Sequence, residues 1–264
     1  MDSELKQLIF DSISELMRLQ NLWQKTYPDS STMEFRDVPP VLWFGDIKNN
    51  PQVLVVSANP SRPEQPKSNP RIPYSKKWNI DQPDVEELMK DYNNYFVNNP
   101  SKKWFGCDIS HTQGRIEDFL NGLGASFYVG VEGMDDKKKY NQAIHIDLLP
   151  FSTESTFTAI DSQIMAIEGV PQWINQHLRK MIELIKPKLI IINGSSNFAY
   201  FNQCIDMNAQ PYTASFNPVE LAHKEKSITI WYANKTDNVP PIIATSVNMG
   251  SFCFHSKDTL RKLG

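Results

Sequence analysis

Three cysteines in 264 residues, Cys107, Cys204 and Cys253, are too few and too scattered for a disulfide framework or a structural zinc site. None belongs to a Cys-x-x-Cys pair, so a reduced compartment is the simpler reading. Long apolar runs are missing too: nowhere do about 18 apolar residues follow one another. The amino terminus carries Asp2 and Glu4 and no basic segment leading into an apolar stretch. A cytoplasmic location with no membrane partner is expected. Charge of one sign is also lacking, since 27 Lys and Arg stand against 30 Asp and Glu, a formal net charge of −3. That balance removes the signature of a strongly basic nucleic-acid binder but leaves room for a local basic face. No Walker A loop, dinucleotide fingerprint, HExxH helix or GxSxG elbow occurs, and the easiest nucleotide, metal and acyl-transfer readings fall with them. Cys107, Asp108 and His111 lie close together, but that is a weak ligand pattern, and neither metal nor cofactor is assigned.

What is present is enough for a sizeable core: 40% hydrophobic residues, with 14 Phe, 9 Tyr and 6 Trp. The expected organisation is one α/β domain over residues 1–264, with an N-terminal helical extension over 1–50 and a lid-like insertion over 61–110. Leu5, Leu8, Ile9, Ile13, Leu16 and Met17 recur at steps of three and four, which predicts a helix from Ser3 to Lys25. Further helices are expected over Val85–Phe96 and Gly114–Leu123, from Pro171 up to Lys186-Pro187, and after Gly194. Four apolar strands alternate with them and end in small or polar residues. Val53-Leu54-Val55-Val56 runs into Ser57-Ala58-Asn59-Pro60-Ser61, and Ala143 to Leu148 carries His145 and Asp147. Leu189 to Ile192 ends in Asn193-Gly194, and Ile242 to Val247 ends in Asn248-Met249-Gly250-Ser251. Ser227 to Trp231 reads as an edge or hairpin strand. Alternation of this kind predicts a three-layer αβα fold with a central, mainly parallel, four-stranded sheet, and ligands of such sheets bind beyond the carboxyl ends of the strands.

The passage from Ile182 through Lys186-Pro187-Lys188 into Leu189-Ile190-Ile191-Ile192-Asn193-Gly194 resembles the helix-to-strand passage of the uracil-DNA glycosylase superfamily. Asn59-Pro60 resembles the Asn-Pro of the first motif in its mismatch-specific and single-strand-selective branches. Asp147 falls where the family places its base-reading Asn, and Asn248-Met249-Gly250-Ser251 where it places a His-Pro-Ser loop. The correspondence of order covers Gln52 to Leu263. It departs at Ser57 and Ser61, where the family has Gly, and at Asn248, where it has His.

The resemblance implies a uracil-DNA glycosylase-like fold and a nucleobase site at the strand ends, with DNA or another nucleobase-containing ligand as partner. Asn59 and Asn248 would be the catalytic residues, Asn59 positioning the water and Asn248 supporting the leaving base. Ser57, Ala58, Pro60, Ser61, His145, Asp147, Asn193, Gly250 and Ser251 would line the substrate. An amide is a poor general base, so such a site would be slow. Asn59-Pro60 equally serves as a turn at a strand end, and Asp147 equally caps a turn or pairs with a lysine. As a base reader, an ionised Asp147 only accepts hydrogen bonds, which disfavours uracil O4 and suits an exocyclic amine. His145, two residues before Asp147 on the same side of the strand, is an acid candidate. Tyr74, Trp78, Trp104 and Phe105 are aromatic stacking candidates for a flipped base. Lys67, Arg71, Lys76, Lys77, Lys102 and Lys103 are interspersed with them in the pattern of a single-strand surface. Two other classes stay open: a glycosylase-fold binding module without chemistry, and a hydrolase of free nucleosides.

Overall fold

The computed structural model describes residues 1–30, 34–60, 71–99, 116–204, 210–215, 227–234, 239–246 and 261. Among them the helices are α1 (Asp2–Thr26), α2 (Val85–Asn93), α3 (Tyr95–Asn98), α4 (Ile116–Gly122), α5 (Phe157–Met165), α6 (Val170–Ile185) and α7 (Ser195–Cys204). The strands are β1 (Val53–Ser57), β2 (Ala125–Ser126), β3 (Asn141–Asp147), β4 (Leu189–Asn193), β5 (Gln210–Ser215), β6 (Ser227–Ala233) and β7 (Ile242–Thr245). The chain divides into two compact units, each built from separated segments. A helical unit comprises Met1–Asp46, Ala58–Tyr95 and Ile146–Leu184, and a sheet unit comprises Ile47–Ser57, Phe96–His145 and Ile185–Gly264.

The class is α/β with a mostly parallel sheet. Seven strands lie in the order β2-β3-β1-β4-β7-β6-β5, although β2 is only two residues long, so six strands carry the sheet. The four strands expected from the sequence, β3, β1, β4 and β7, are neighbours at its centre. Val53 pairs with Leu189 and Val56 with Ile192 in parallel, and Ile190 to Asn193 pair in parallel with Ile242 to Thr245. Leu54, Val55, Val56, Ile190, Ile191 and Ile192 are all fully buried, as continuous β-branched and aliphatic runs require when both faces of a strand are covered. An antiparallel hairpin, β5 with β6, closes one edge against β7. The chain enters β4 through Lys186 in the left-handed region, φ 52°, where Pro187 ends any helical continuation. It leaves through Gly194 at φ 103°, which lets α7 start at once and pack on β4 and β7.

In the helical unit, α1 presents Leu5, Ile9, Leu16 and Leu19 as a buried stripe and packs on α2. Met17, expected in that stripe, is 40% exposed. The stripe continues instead through Leu19 and Trp23, because at 3.6 residues per turn Met17 sits about 120° around the helix from Leu5. The helix expected over Val85–Phe96 is two helices, α2 and α3. Asp84 caps the first, accepting from Glu87 N at 3.0 Å, and Asn94 ends it. An irregular strap follows α1. Phe35 forms an antiparallel bridge with Thr153, Arg36 N donates to Ser152 O at 3.0 Å, and Val41 N donates to Pro150 O at 2.8 Å. The residues from Pro150 to Thr153 are thereby held in place, and they hold Asn59 in turn.

Candidate functional site

In the helical unit the first strand tip continues as Ala58-Asn59-Pro60. Leu149 N donates to Ala58 O at 3.0 Å, which fastens the turn after β1 to the turn after β3. Asn59 is half-buried, and its side-chain amide donates to Phe151 O at 3.2 Å and to Thr153 Oγ1 at 3.0 Å. The Thr153 hydroxyl spends its own proton on Ser155 O at 2.7 Å, so toward Asn59 it can only accept. This fixes the sense of the amide: nitrogen faces Phe151 and Thr153, and Oδ1 is left as an oriented acceptor. Behind it, Ser155 N and Oγ donate to the Glu34 carboxylate at 2.9 and 3.0 Å. Asp147, the last residue of β3, is 2% exposed. Pro60 is buried beside Asn59 and has no N–H to donate.

In the sheet unit, the register Val56 with Ile192 sets Ser57 opposite Asn193 at the carboxyl ends of β1 and β4, and both are buried. Asn193 Nδ2 donates to Ser57 Oγ at 3.4 Å, and Asn197 Nδ2 donates to the Asn193 carbonyl across the first turn of α7. Thr245 of β7 pairs with Asn193, and its carbonyl accepts from Gly194 N at 3.0 Å. Three parallel strands thus end in a row of small polar residues.

His145 is buried edge-on against Phe127, ring centroids 6.4 Å apart, and burial pushes its pKa down to about 3. At neutral pH it is therefore an uncharged imidazole, because desolvation disfavours the ionised ring.

The aromatic candidates divide. Tyr74 is 4% exposed, with Trp78 edge-on at 6.2 Å, its backbone N–H on Asp91 Oδ2 at 2.7 Å, and its hydroxyl accepting from Asp84 N. These contacts hold its ring in the packing beside α2. Trp78 is half-exposed, and its indole N–H donates to Asp37 Oδ1 at 2.9 Å. Lys76 and Lys77 are exposed, but Lys77 pairs with Glu87 at 2.9 Å, which offsets its contribution to a basic surface. Ser61, Trp104, Phe105, Asn248, Gly250 and Ser251 lie outside the described residues, as do Lys67, Lys102, Lys103, Cys107, Asp108 and His111.

Sequence reasoning found Asn59 but missed Phe151 and Thr153, which orient it. Thr153 stands 94 positions away, and a lone threonine beyond a strand end carries no local pattern. Chemically, the helical unit offers a fixed amide acceptor, and the sheet unit offers hydroxyl and amide groups at the strand ends. The chain matches no protein-family model, and no curated protein is a significant match to it. Among the described residues no helix is long and apolar enough to cross a membrane.

Proposed function

We propose that this chain is a divergent protein of the uracil-DNA glycosylase type, which binds a nucleobase of a nucleic-acid strand at the carboxyl end of its sheet. In this reading it hydrolyses the N-glycosidic bond with a water held by Asn59, while Asp147 contacts the base. The support comes above all from the Asn59 amide. With both N–H groups committed to Phe151 O and Thr153 Oγ1, its remaining Oδ1 accepts a hydrogen bond from an approaching water and orients an oxygen lone pair for attack on the sugar carbon. Amide assistance makes the reaction slow, and the carboxylate at position 147 steers the pocket away from uracil toward bases with an exocyclic amine.

A second reading, a glycosylase-fold module that binds without cleaving, is favoured by the neutral state of His145 and by the pairing of Lys77 with Glu87. Both readings are tested by base release from single- and double-stranded oligonucleotides carrying uracil, hypoxanthine, xanthine or modified cytosines. The expected result is little or no uracil release by the wild type, slow release of an amine-bearing base, and loss of that release in Asn59→Ala. Asp147→Asn is expected to raise uracil binding or release, because an amide offers O4 a donor. Strong uracil excision unaffected by Asp147→Asn removes Asp147 from base reading. Strand binding with no release of any base selects the second reading.

A further inference from the structure

The strap after α1 and the turn after β3 are joined along their backbones by the Phe35–Thr153 bridge, by Arg36 N to Ser152 O at 3.0 Å and by Glu154 N to Glu34 O at 2.9 Å. Among the described residues that backbone pairing ends at Glu154. Ser155 is held through side chains instead. Its N–H donates to Glu34 Oε2 at 2.9 Å and its hydroxyl to Glu34 Oε1 at 3.0 Å, while its carbonyl accepts from the Thr153 hydroxyl at 2.7 Å. Glu34, Thr153, Ser155 and Asn59 all belong to the helical unit.

Glu34 is 7% exposed, and among the described residues its carboxylate oxygens meet the two donors of Ser155 and no cation. Taking a carboxylate out of water for two neutral donors is a poor source of stability. What it supplies is geometry. Two bonds from one residue to the two oxygens of one carboxylate fix both the position and the rotation of Ser155, and an ionised carboxylate only accepts, so both donors must face it. The Ser155 carbonyl then has a set direction. It commits the Thr153 proton and leaves the Thr153 oxygen to accept from Asn59 Nδ2 at 3.0 Å. Without that order the Thr153 hydroxyl is free to rotate, and one of the two bonds that set the sense of the Asn59 amide loses its direction.

We propose that Glu34 is the positioning residue of the Asn59 site: through Ser155 and Thr153 it holds the side-chain amide with Oδ1 left for the attacking water. The effect on base release rests on the glycosylase reading, whereas the hold on Asn59 does not.

The hold is read in the free protein, from exchange of the Asn59 side-chain amide protons with water in nitrogen–proton spectra of the full chain. Glu34→Ala is expected to speed that exchange about tenfold or more. Glu34→Gln should stay within about twofold of wild type, because a primary amide accepts from Ser155 N and donates to Ser155 Oγ. Arg36→Ala breaks the 2.9 Å ion pair with Glu154 in the same strap and controls for general loosening; it too should stay within about twofold. The second readout is base release from the oligonucleotides above. Glu34→Ala should lower kcat about tenfold to a hundredfold with KM within about twofold, and Glu34→Gln should restore it. Unchanged Asn59 exchange in Glu34→Ala, equal acceleration in Arg36→Ala, or a loss confined to KM overturns the positioning role. If the wild type releases no base, the glycosylase reading falls and the exchange pattern alone upholds or overturns the hold. If Glu34→Ala does not fold, Ser155→Ala, which lacks one of the two donors, decides in its place: faster Asn59 exchange upholds the role and unchanged exchange overturns it.

Discussion

Glu117 in the sheet unit and His177 in the helical unit are both buried ionisable groups, and their surroundings treat them differently. Glu117 accepts from the Ser126 hydroxyl at 2.5 Å and from Phe127 N at 3.1 Å, with Lys137 Nζ 3.9 Å away. His177 has an aromatic ring on one face and no hydrogen-bond partner among the described residues. Desolvation pushes each toward its neutral form, Glu117 up to about 7 and His177 down to about 4. The donors around Glu117 stabilise its charge enough to leave it titrating near physiological pH. His177 receives no such help and stays neutral throughout. Burial alone therefore does not make a pH-sensitive group; partial compensation does.

The two groups also pull stability in opposite directions as pH changes. Folded Glu117 holds its proton more tightly than the unfolded chain, so its contribution is full below about pH 4.5 and is lost as pH rises through about 7. His177 binds its proton less tightly when folded, so its contribution is present above about pH 6.5 and is lost as pH falls toward about 4. His145 acts in the same sense as His177.

The largest expected effect is that of Glu117→Gln. The amide keeps an acceptor for Phe127 N without a charge, so the change in stability from pH 5 to pH 8 differs between variant and wild type by about 3 kcal/mol, the share Glu117 alone loses against the opposite shares of His145 and His177. Urea unfolding at the two pH values measures it, and an equal wild-type and variant slope would remove Glu117 as its source. Thr153→Val sharpens the comparison with a group whose partners are complete. It strands one Asn59 N–H and should cost about 1–3 kcal/mol at every pH, read by the same unfolding curves. Under the proposed chemistry it also slows base release more than it weakens strand binding. The smallest effect is expected from His177→Phe, which replaces unpartnered nitrogens with carbon. It should raise the unfolding midpoint by about 1 kcal/mol of stability at pH 7. A drop there would mean that His177 has partners after all.

Much of the fold was legible because it rests on period and run length. The apolar runs of β1, β4 and β7 and the helices α1 and α6 lie where the sequence puts them, and β1, β3 and β4 end in polar residues, while the tip expected at Asn248 to Ser251 lies outside the described residues. Other elements carried a weaker signal. α5 buries Phe157, Ile160 and Ile164 at steps of three and four, but the stripe is only nine residues long and Thr156 at its start makes no side-chain capping bond. Pro211 argues against a strand, yet β5 is the edge strand of the sheet, where a missing N–H is tolerated. The site divides in the same way. Asn59 was visible at a strand tip, whereas its sense depends on Thr153, brought close only by the folded chain.

The interleaving of the two units has a consequence for synthesis. Arg18 of α1 bonds to Glu168 O, 150 positions later, and Glu4 meets Lys180 across 176. As the chain leaves the ribosome at roughly 5–20 residues per second, the apolar stripe of α1 waits on the order of ten seconds or more for the helix that helps to cover it. During that interval Leu5, Ile9, Leu16 and Leu19 form an exposed amphipathic helix. The apolar face of α1 is therefore made before any described strand of the parallel sheet and waits for partners that come later in the chain.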